Sequence, residues 1–320
     1  AQGVVGMSST AKWVVAVVAG VAVLGAGVVV VPAVAWHLAP VPARPNPNPE
    51  APAQPSPQPT VSEPPKPAES PKQAEPPRPI EATPSSGGDW VTIRGRVVWP
   101  ESMPVPGHKI DVTTDKQHCL SRGDLVYEDV VVSPKTRGVK NVVVWLRPDT
   151  DNRRDPFPKD RVHPALRKVT PRTHVVDQPC CQFEPRVVAA REGDAIEFKN
   201  SAPVNHNVNY NSDTEPFNNN MSPNTSKKTQ PLQAQSSPVT FKCDIHPWMQ
   251  GRARVFDHPY FAVTDADGNF EIKNAPKGKW RIVYWHENGY HKGREGANGF
   301  PVEATAVVVE VPPVGLDLPK

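Results

Sequence analysis

Short apolar runs separated by turn residues make up the chain from Trp90 onward. The runs are rich in valine, isoleucine and aromatic residues, and glycine, proline, asparagine and aspartate stand between them. This pattern is typical of strands, and no apolar face of helical period is sustained in the region. We therefore expect an all-β fold of the sandwich type. The clearest runs are VTIRGRVVW, LVYEDVVV, VKNVVVWLR, RVVAA, AIEFKN, NHNVNY, VTFKC, RARVFD, FAVTD, FEIKN, KWRIVYWH and AVVVEV.

Two local motifs add detail to this pattern. The stretch TDADGNFEI carries Asp-Gly and Gly-Asn pairs between apolar residues, which predicts a tight β-hairpin. The stretch HPALRKV is the place where we expect one short helical turn.

A long uncharged apolar segment precedes the β-rich region. Residues 13–36 form a segment long enough to span a membrane as a helix, which takes roughly 20 apolar residues. A tryptophan stands at each end of the segment. We favour a retained transmembrane anchor. The alternative is a cleaved signal peptide, for which Ala33 and Ala35 offer a small-x-small site. Lys12, the one charged side chain before the span, places residues 1–12 in the cytoplasm and the rest of the chain outside.

Residues 37–88 form a proline-rich stretch between this segment and the β-rich region. Proline stands at nearly every second position of PVPARPNPNPEAPAQPSPQPT. Because proline fixes φ and lacks an N–H donor, we expect neither a helix nor a central strand here. The stretch is predicted to be a disordered, extended linker of polyproline II type.

The charge of the chain argues against a nucleic-acid partner. Lysine and arginine number 36 and acidic residues 33, so the formal charge is only +3. No block of basic residues with interleaved aromatics occurs in the sequence. We expect a mixed, soluble surface outside the membrane segment.

Candidate metal ligands occur in the stretch CDIHPWM, between two strand-like runs. Cys243, His246 and Met249 have the spacing C-x2-H-x2-M, so a short loop would turn a thiol and an imidazole toward one point, with a thioether at the side. His206, at the head of an earlier run, would supply a second imidazole. Asn207 would hydrogen-bond across to the loop and tie the two halves of the site together.

Two histidines, a cysteine and an axial methionine are the ligands of a type 1 copper site. Soft sulfur ligands stabilise Cu(I), and imidazole binds both Cu(I) and Cu(II). This ligand set therefore suits one copper ion that cycles between Cu(I) and Cu(II) by gaining and losing one electron. Zinc is the nearest alternative metal because cysteine and histidine bind it well, but methionine is not a usual zinc ligand.

The stretches APVNHNVNY and FKCDIHPWMQGRARVF resemble the cupredoxin, or plastocyanin-like, family, and the short C-x2-H-x2-M loop resembles its amicyanin branch. VVAAREGDAIEFKN is similar to the strand, glycine turn and strand that precede the first histidine in that family. The resemblance covers residues 180–257 and implies a Greek-key β-sandwich. It implies that the copper ligands are His206, Cys243, His246 and Met249, with Asn207 as the usual neighbour of the first histidine.

The same resemblance implies an electron port at the exposed edge of His246, with Pro247 and Trp248 as an apolar rim. The chain departs from the family in the long polar insert SDTEPFNNNMSPNTSKKTQPLQAQSS between the ligand halves. This insert would cover or reshape the docking face.

Segments on both sides of the copper motif resemble a carboxypeptidase-regulatory-like β module. IRGRVVWPESMPVPG is similar to its first half, and TDADGNFEI, NAPKGKWRI and VYWH to its second, so we expect a second small β-sandwich packed with the copper domain. The whole layout resembles secreted bacterial proteins of the methylamine-utilisation type. The expected regions are a cytoplasmic N-terminus (1–12), an anchor or signal peptide (13–36), a linker (37–88), a first β region (89–174), a cupredoxin-like domain (175–257) and a second β module (258–320).

Three cysteines remain beside Cys243. An exported chain favours a disulfide, and adjacent cysteines rarely pair with each other, so Cys119 is expected to pair with Cys180 or Cys181. The register of QPCCQFEPRV resembles the pattern of these secreted proteins and implies Cys181 as the partner.

These features favour a membrane-tethered copper protein that carries single electrons in the periplasm or on the outer face of the membrane. A cytochrome or a membrane oxidoreductase would act as donor or acceptor. The alternatives are a copper-delivery module and a surface adhesion protein that binds through aromatic residues such as Trp280 and Trp285. An enzyme is not expected, because four protein ligands fill the copper shell and no catalytic set stands out.

Overall fold

The computed structural model of this protein describes residues 21–24, 27–30, 88–168 and 170–318. The chain divides into two units, residues 1–78 and 79–320. The described residues of the first unit are two short antiparallel strands, β1 (Val21–Leu24) and β2 (Gly27–Val30).

The predicted membrane segment and linker fall mainly outside the described residues. Of residues 13–36 the structure describes β1 and β2, and of residues 37–88 it describes Gly88. Within the described ranges no helix is both long and apolar enough to cross a membrane. Residues 21–24 and 27–30 form strands where a membrane-spanning helix was expected, and the rest of the anchor and the linker stay predictions.

From Trp90 onward the described residues form an all-β structure, which confirms the fold class predicted from the apolar pattern. The HPALRKV stretch contains the expected helical turn. The strands are β3 (Trp90–Val98), β4 (Val143–Pro148), β5 (Thr173–Asp177), β6 (Val187–Arg191), β7 (Ala195–Asn200), β8 (His206–Asn211), β9 (Phe217–Met221), β10 (Thr225–Lys228), β11 (Val239–Lys242), β12 (Gln250–Phe256), β13 (Phe261–Val263), β14 (Asn269–Pro276), β15 (Gly278–His286), β16 (Gly289–Tyr290), β17 (Phe300–Ala304), β18 (Val308–Glu310) and β19 (Val314–Gly315). The short helices are α1 (Lys116–Cys119), α2 (Pro164–Arg167), α3 (Gly293–Ala297) and a 3-10 turn (Lys159–Arg161).

Strands β5 to β12 form a β-sandwich, here called the inserted sandwich. One sheet has the strand order β10-β7-β5 and the other β6-β12-β11-β8-β9. Side chains alternate across β11, where Val239 and Phe241 are buried and Lys242 is exposed, as expected for a half-buried strand. Phe241 packs edge-on against Phe183 and Phe198, and these rings fill the space between the sheets.

Strands β3, β4 and β13 to β19 form a second sandwich, here called the split sandwich. One sheet has the order β13-β4-β15-β16, with β17 paired to β15, and the other has the order β14-β3-β18, with β19 paired to β3. The chain therefore leaves this sandwich after β4 and returns to it at β13. The relation of the split sandwich to a carboxypeptidase-regulatory-like module stays a prediction.

The two sandwiches share an apolar interface. Trp145 and Val283 of the split sandwich cluster with Val187 and Phe256 of the inserted sandwich, and all four side chains are buried. Because β12 carries Phe256 on its outer face and Ala253 and Val255 on its inner face, this strand contributes to both the interface and the core of the inserted sandwich.

The hairpin predicted from TDADGNFEI is wrong, although its turn forms. The Asp265 carboxylate accepts hydrogen bonds from the backbone N–H groups of Asp267 and Asn269, both at 2.9 Å, and Gly268 takes a φ of +78°. However, β13 pairs with β4 and β14 pairs with β3, which lie in different sheets. The turn therefore joins the two sheets of the split sandwich instead of two paired strands.

The strand predicted from LVYEDVVV is also wrong, because this part of the chain makes only isolated bridges. Its first three residues, 125–127, end a segment, residues 108–127, that we call the cap. Val112, Cys119 and Leu125 of the cap are buried in the core of the inserted sandwich. The backbone of Ile110 donates to the carbonyl of Leu125 at 2.8 Å, which closes the cap into a loop.

Candidate metal centre

The loop between β11 and β12 carries three of the four predicted ligands. The backbone N–H of Cys243 donates to the carbonyl of Met249 at 3.0 Å, and the N–H of Met249 donates to the carbonyl of His246 at 2.8 Å. These two bonds close residues 243–249 into a tight turn. Cys243 and His246 consequently face the same side of the loop.

His206 reaches this loop from the neighbouring strand. It is the first residue of β8, which pairs antiparallel with β11, so the start of β8 lies beside the end of β11. Nδ1 of His206 lies 3.1 Å from Nδ1 of His246. The Cys243 Sγ lies 4.0 Å from the first of these nitrogens and 3.7 Å from the second.

The donor set fits a copper ion. Two imidazole nitrogens and one sulfur lie within 4.8 Å of one another, and all three residues are buried. Nitrogen and thiolate ligands of this kind hold type 1 copper. Met249 ends the loop and is buried in the same core cluster as Cys243, at 1% exposure. The structure therefore brings His206, Cys243 and His246 together and places Met249 in the adjoining core.

Burial determines the protonation of these groups. It lowers the pKa of His206 to about 4, and the neighbouring His246 adds to this effect. It also lowers the pKa of His246, although Asp115 acts in the opposite direction. The pKa of the Cys243 thiol is raised by burial. At neutral pH the two imidazoles are uncharged and can bind a metal, whereas the thiol has to release its proton when a metal binds.

Asn207 connects the two halves of the site. Its Oδ1 accepts a hydrogen bond from the backbone N–H of Asp244 at 3.2 Å, and its Nδ2 donates to Oδ1 of Asn218 at 2.6 Å and to the carbonyl of Asn219 at 3.3 Å. The side chain is buried and joins β8, the ligand loop and β9. Its place beside His206 matches the role expected from the sequence.

The cap covers His246. This contact was not predicted from the sequence. Oδ2 of Asp115 lies 3.0 Å from Nε2 of His246, and His246 is 0% exposed. His118, also on the cap, lies 3.2 Å from the carbonyl of Pro179 through its Nε2. No local signal marks Asp115 as a partner of the site, because it lies far from the ligand loop in the sequence.

The electron port expected at the exposed edge of His246 is therefore wrong. The carboxylate of Asp115 occupies the ring edge that the resemblance places in solvent. Trp248 is also buried; it packs edge-on against His246 and donates from Nε1 to the carbonyl of Cys181 at 3.1 Å. Of the predicted rim, Pro247 is exposed.

A disulfide fastens the cap beside the metal centre. It joins Cys119, the last residue of α1, to Cys181. Their sulfurs lie within 4.8 Å of a ring nitrogen of His246, but a disulfide sulfur is not available as a thiolate ligand. Cys180 is free and buried.

No protein-family model matches the chain, and a search of curated proteins finds no match. The chain is similar to a solved purple cupredoxin from Nitrosopumilus maritimus, at 16% identity and a TM-score of 0.23, covering 26% of this chain and 98% of that chain. It is similar to an oxidised amicyanin mutant at 20% identity and a TM-score of 0.24, covering 26% of this chain and 81% of that chain.

A copper-containing nitrite reductase, NirK, from Thermus scotoductus SA-01 is 20% identical, with a TM-score of 0.25, and the similarity covers 30% of this chain and 25% of that chain. The chain thus spans about a quarter of the reductase. Scores this low do not assign the chain to a family. The case for copper depends on the side chains of this protein.

Proposed function

We propose that the chain binds one copper ion through His206, Cys243, His246 and Met249 and carries single electrons between redox partners outside the cytoplasm. The observation that supports this proposal is the convergence of two uncharged imidazole nitrogens and a thiol in a buried site. A bound copper ion would supply a reversible change between Cu(I) and Cu(II). The residues of the chain hold the donor atoms in place and exclude water.

The hydrogen bonds that hold the candidate ligands in position favour an electron carrier. Asn207, next to His206, bonds to the ligand loop, and Asp115 lies at hydrogen-bond distance from Nε2 of His246. Ligands held in this way change position little when the charge of the ion changes. Small rearrangement is what a one-electron carrier requires.

A copper-delivery role has less support. Cys243 and both histidines are at most 1% exposed, and the disulfide-fastened cap lies over His246. A delivery protein has to pass its ion to another set of ligands, which a buried, covered site hinders. An adhesion role through exposed aromatics also lacks support, because Trp280 and Trp285 are buried at 5% and 4% exposure.

The copper site offers no place for a substrate, so we propose that the protein is not an enzyme. Four protein donors fill a type 1 site, whereas catalytic metals keep an open position. Donor and acceptor are expected to be redox proteins, a cytochrome or a membrane oxidoreductase. Since Asp115 covers His246, we expect a partner to approach over the cap, where Asp115 and His118 border a surface hollow with Pro203 and Val204.

We also propose that the protein lies outside the cytoplasm and is anchored to the membrane through residues 13–36. The disulfide between Cys119 and Cys181 supports an oxidising compartment, because such bonds form and persist there. The apolar segment supports tethering to the outer face of the cytoplasmic membrane, or secretion if it is cleaved.

A spectroelectrochemical titration of the copper-loaded chain tests the carrier role. We expect a reversible one-electron transition, with copper still bound after several cycles of reduction and reoxidation. Metal analysis after gel filtration of the reduced protein provides the second readout. Loss of copper on reduction would contradict the carrier role and favour delivery.

A further inference from the structure

A cleft of about 610 Å³ lies between the two sandwiches, and none of the candidate copper ligands lines it. One wall comes from β12 and residues 234–238 of the inserted sandwich. The other comes from β4 and residues 153–157, with Tyr290 of β16. A cleft of this size can hold a small organic ligand.

Arg254 is a buried cation in the wall of this cleft. It is 5% exposed, and its guanidinium lies 5.0 Å from the ring of Trp145 and 5.4 Å from the ring of Trp285. It donates to the carbonyl of Ser236 at 2.8 Å, and its Nε has no hydrogen-bond partner. Burial lowers the pKa of Arg254, and Tyr290 is the neighbour that favours the charged form. The two tryptophan rings compensate part of the buried charge through cation–π contacts.

The same interface supplies a carboxylate to two partly buried arginines, Arg186 and Arg252. Arg252 lies two residues before Arg254 on β12 and therefore on the same face. Glu287 accepts bonds from Arg186 at 2.6 and 3.1 Å and lies 3.9 Å from Arg252. Within the described part of the chain, no acidic side chain lies at ion-pair distance from Arg254. A buried charge is normally paired, so Arg254 lacks the anion that its neighbours have.

A second buried arginine lines the cleft without a carboxylate. Arg147 is 5% exposed and donates to the carbonyls of Asn298 at 2.6 Å and Thr150 at 2.7 Å, while its Nε has no partner. Burial lowers the pKa of Arg147, and the nearby Arg281 adds to this effect.

The mouth of the cleft adds further positive charge. Arg153 and Arg154 are exposed there and form no ion pair among the residues that the structure describes. The lining holds four arginines and two aspartates, Asp155 and Asp257. Burial raises the pKa of Asp257, which favours its uncharged form. The cleft is therefore positive overall.

We propose that this cleft binds a small organic anion whose carboxylate or phosphate group pairs with Arg254. A planar guanidinium pairs with both groups through two parallel hydrogen bonds. Arg153 and Arg154 attract the anion at the mouth, and the faces of Trp145 and Tyr290 contact its apolar part. The site is separate from the metal centre and does not depend on copper.

Isothermal titration calorimetry of the full chain with benzoate and with phenyl phosphate tests this proposal, since the two probes share a ring and differ in the anionic group. We expect saturable binding of at least one probe, weakened by added salt. Arg254→Gln is expected to lower the affinity tenfold or more. The matched control is Arg161→Gln, which removes a guanidinium stacked on Trp280 at 5.6 Å, outside the cleft, and leaves the affinity unchanged.

The proposal is overturned if neither probe binds the wild-type chain saturably, or if the Arg254 and Arg161 variants bind equally well. A second variant guards against misfolding of Arg254→Gln. The double substitution Arg153→Gln and Arg154→Gln changes exposed residues only and is expected to lower the affinity several-fold. Unchanged affinity in this double variant also overturns the proposal.

Discussion

Oδ2 of Asp115 lies 3.0 Å from Nε2 of His246, although 131 positions separate the two residues in the chain. The other ring nitrogen of His246 faces Cys243 and His206. The carboxylate therefore accepts a hydrogen bond from Nε2–H of His246, which leaves the lone pair of Nδ1 free for a metal. A carboxylate in this place orients a ligating histidine and raises its basicity.

Replacing Asp115 tests this positioning role. Asp115→Ala is expected to lower the copper affinity by roughly 10- to 100-fold, because the orientation of His246 is no longer held. Competition with a chelator of known affinity measures the change. The control is Asp124→Ala on the same cap, which removes an exposed carboxylate paired with Lys109. Equal affinities of the two variants would show that Asp115 does not position the ligand.

The disulfide between Cys119 and Cys181 is expected to stabilise the fold and to hold the cap in place. It closes a loop with a sequence separation of 62 residues. The double substitution Cys119→Ser and Cys181→Ser should lower the free energy of unfolding by about 2–5 kcal/mol. Denaturant unfolding under non-reducing conditions measures this, with Cys180→Ser, at the neighbouring free cysteine, as control. A similar loss in both variants would argue against a specific role of the bridge.

Asn207 should contribute to stability more than its neighbour Asn209. Asn207→Ala removes four hydrogen bonds at a buried position and leaves the N–H of Asp244 without its acceptor, which costs roughly 1–3 kcal/mol. Asn209→Ala removes hydrogen bonds to the exposed carboxylate of Asp244 and should cost much less. Thermal and denaturant unfolding of the two variants makes the comparison. Equal stability losses would contradict the role given to Asn207.

The stability of the protein should fall as the pH drops below about 6.5, because several histidines are buried in neutral form, among them His258 and His286 outside the candidate metal centre. Burial lowers the pKa of His258 to about 3 and that of His286 to about 4. Each Nδ1 accepts a backbone N–H, from Tyr260 and from Asn288. In the unfolded chain the pKa of histidine is about 6.5, so the unfolded state binds protons first as the pH falls. The loss should reach a few kcal/mol by about pH 4 and be absent above about pH 7.

Comparison with a variant isolates this effect from other titrating groups. The free energy of unfolding of wild type should exceed that of His258→Asn by more at about pH 7.5 than at about pH 4.5. Denaturant unfolding at both pH values provides the measurement. A difference that does not change with pH would contradict the neutral, buried state of His258.

Much of the candidate metal centre was predictable from the sequence, since its candidate ligands come from short local patterns. The loop holding Cys243 and His246 lies between two strand-like runs, and its residue types favour copper. His206 begins a strand of recognisable apolar alternation. The hydrogen bond from Asn207 to the ligand loop was expected because Asn207 directly follows that histidine.

The cap was not predictable, because nothing near Asp115 marks a contact 131 positions away. Strands β9 and β10 were missed for another reason. Both carry mainly asparagine, serine and lysine, and they form because their backbones pair with β8 and β7. Strand propensity depends strongly on such tertiary context. The turn at Asp265 was recognised, but a turn does not reveal which sheet its flanking strands join.

Copper loading followed by visible spectroscopy tests the central claim most directly. The wild-type chain is expected to bind one copper ion and to show an intense blue or green band from the charge transfer between the Cys243 thiolate and Cu(II). Cys243→Ser should lose this band while its circular dichroism shows an unchanged β-fold. A colourless wild-type protein after addition of Cu(II), or a band that survives in Cys243→Ser, would contradict the account.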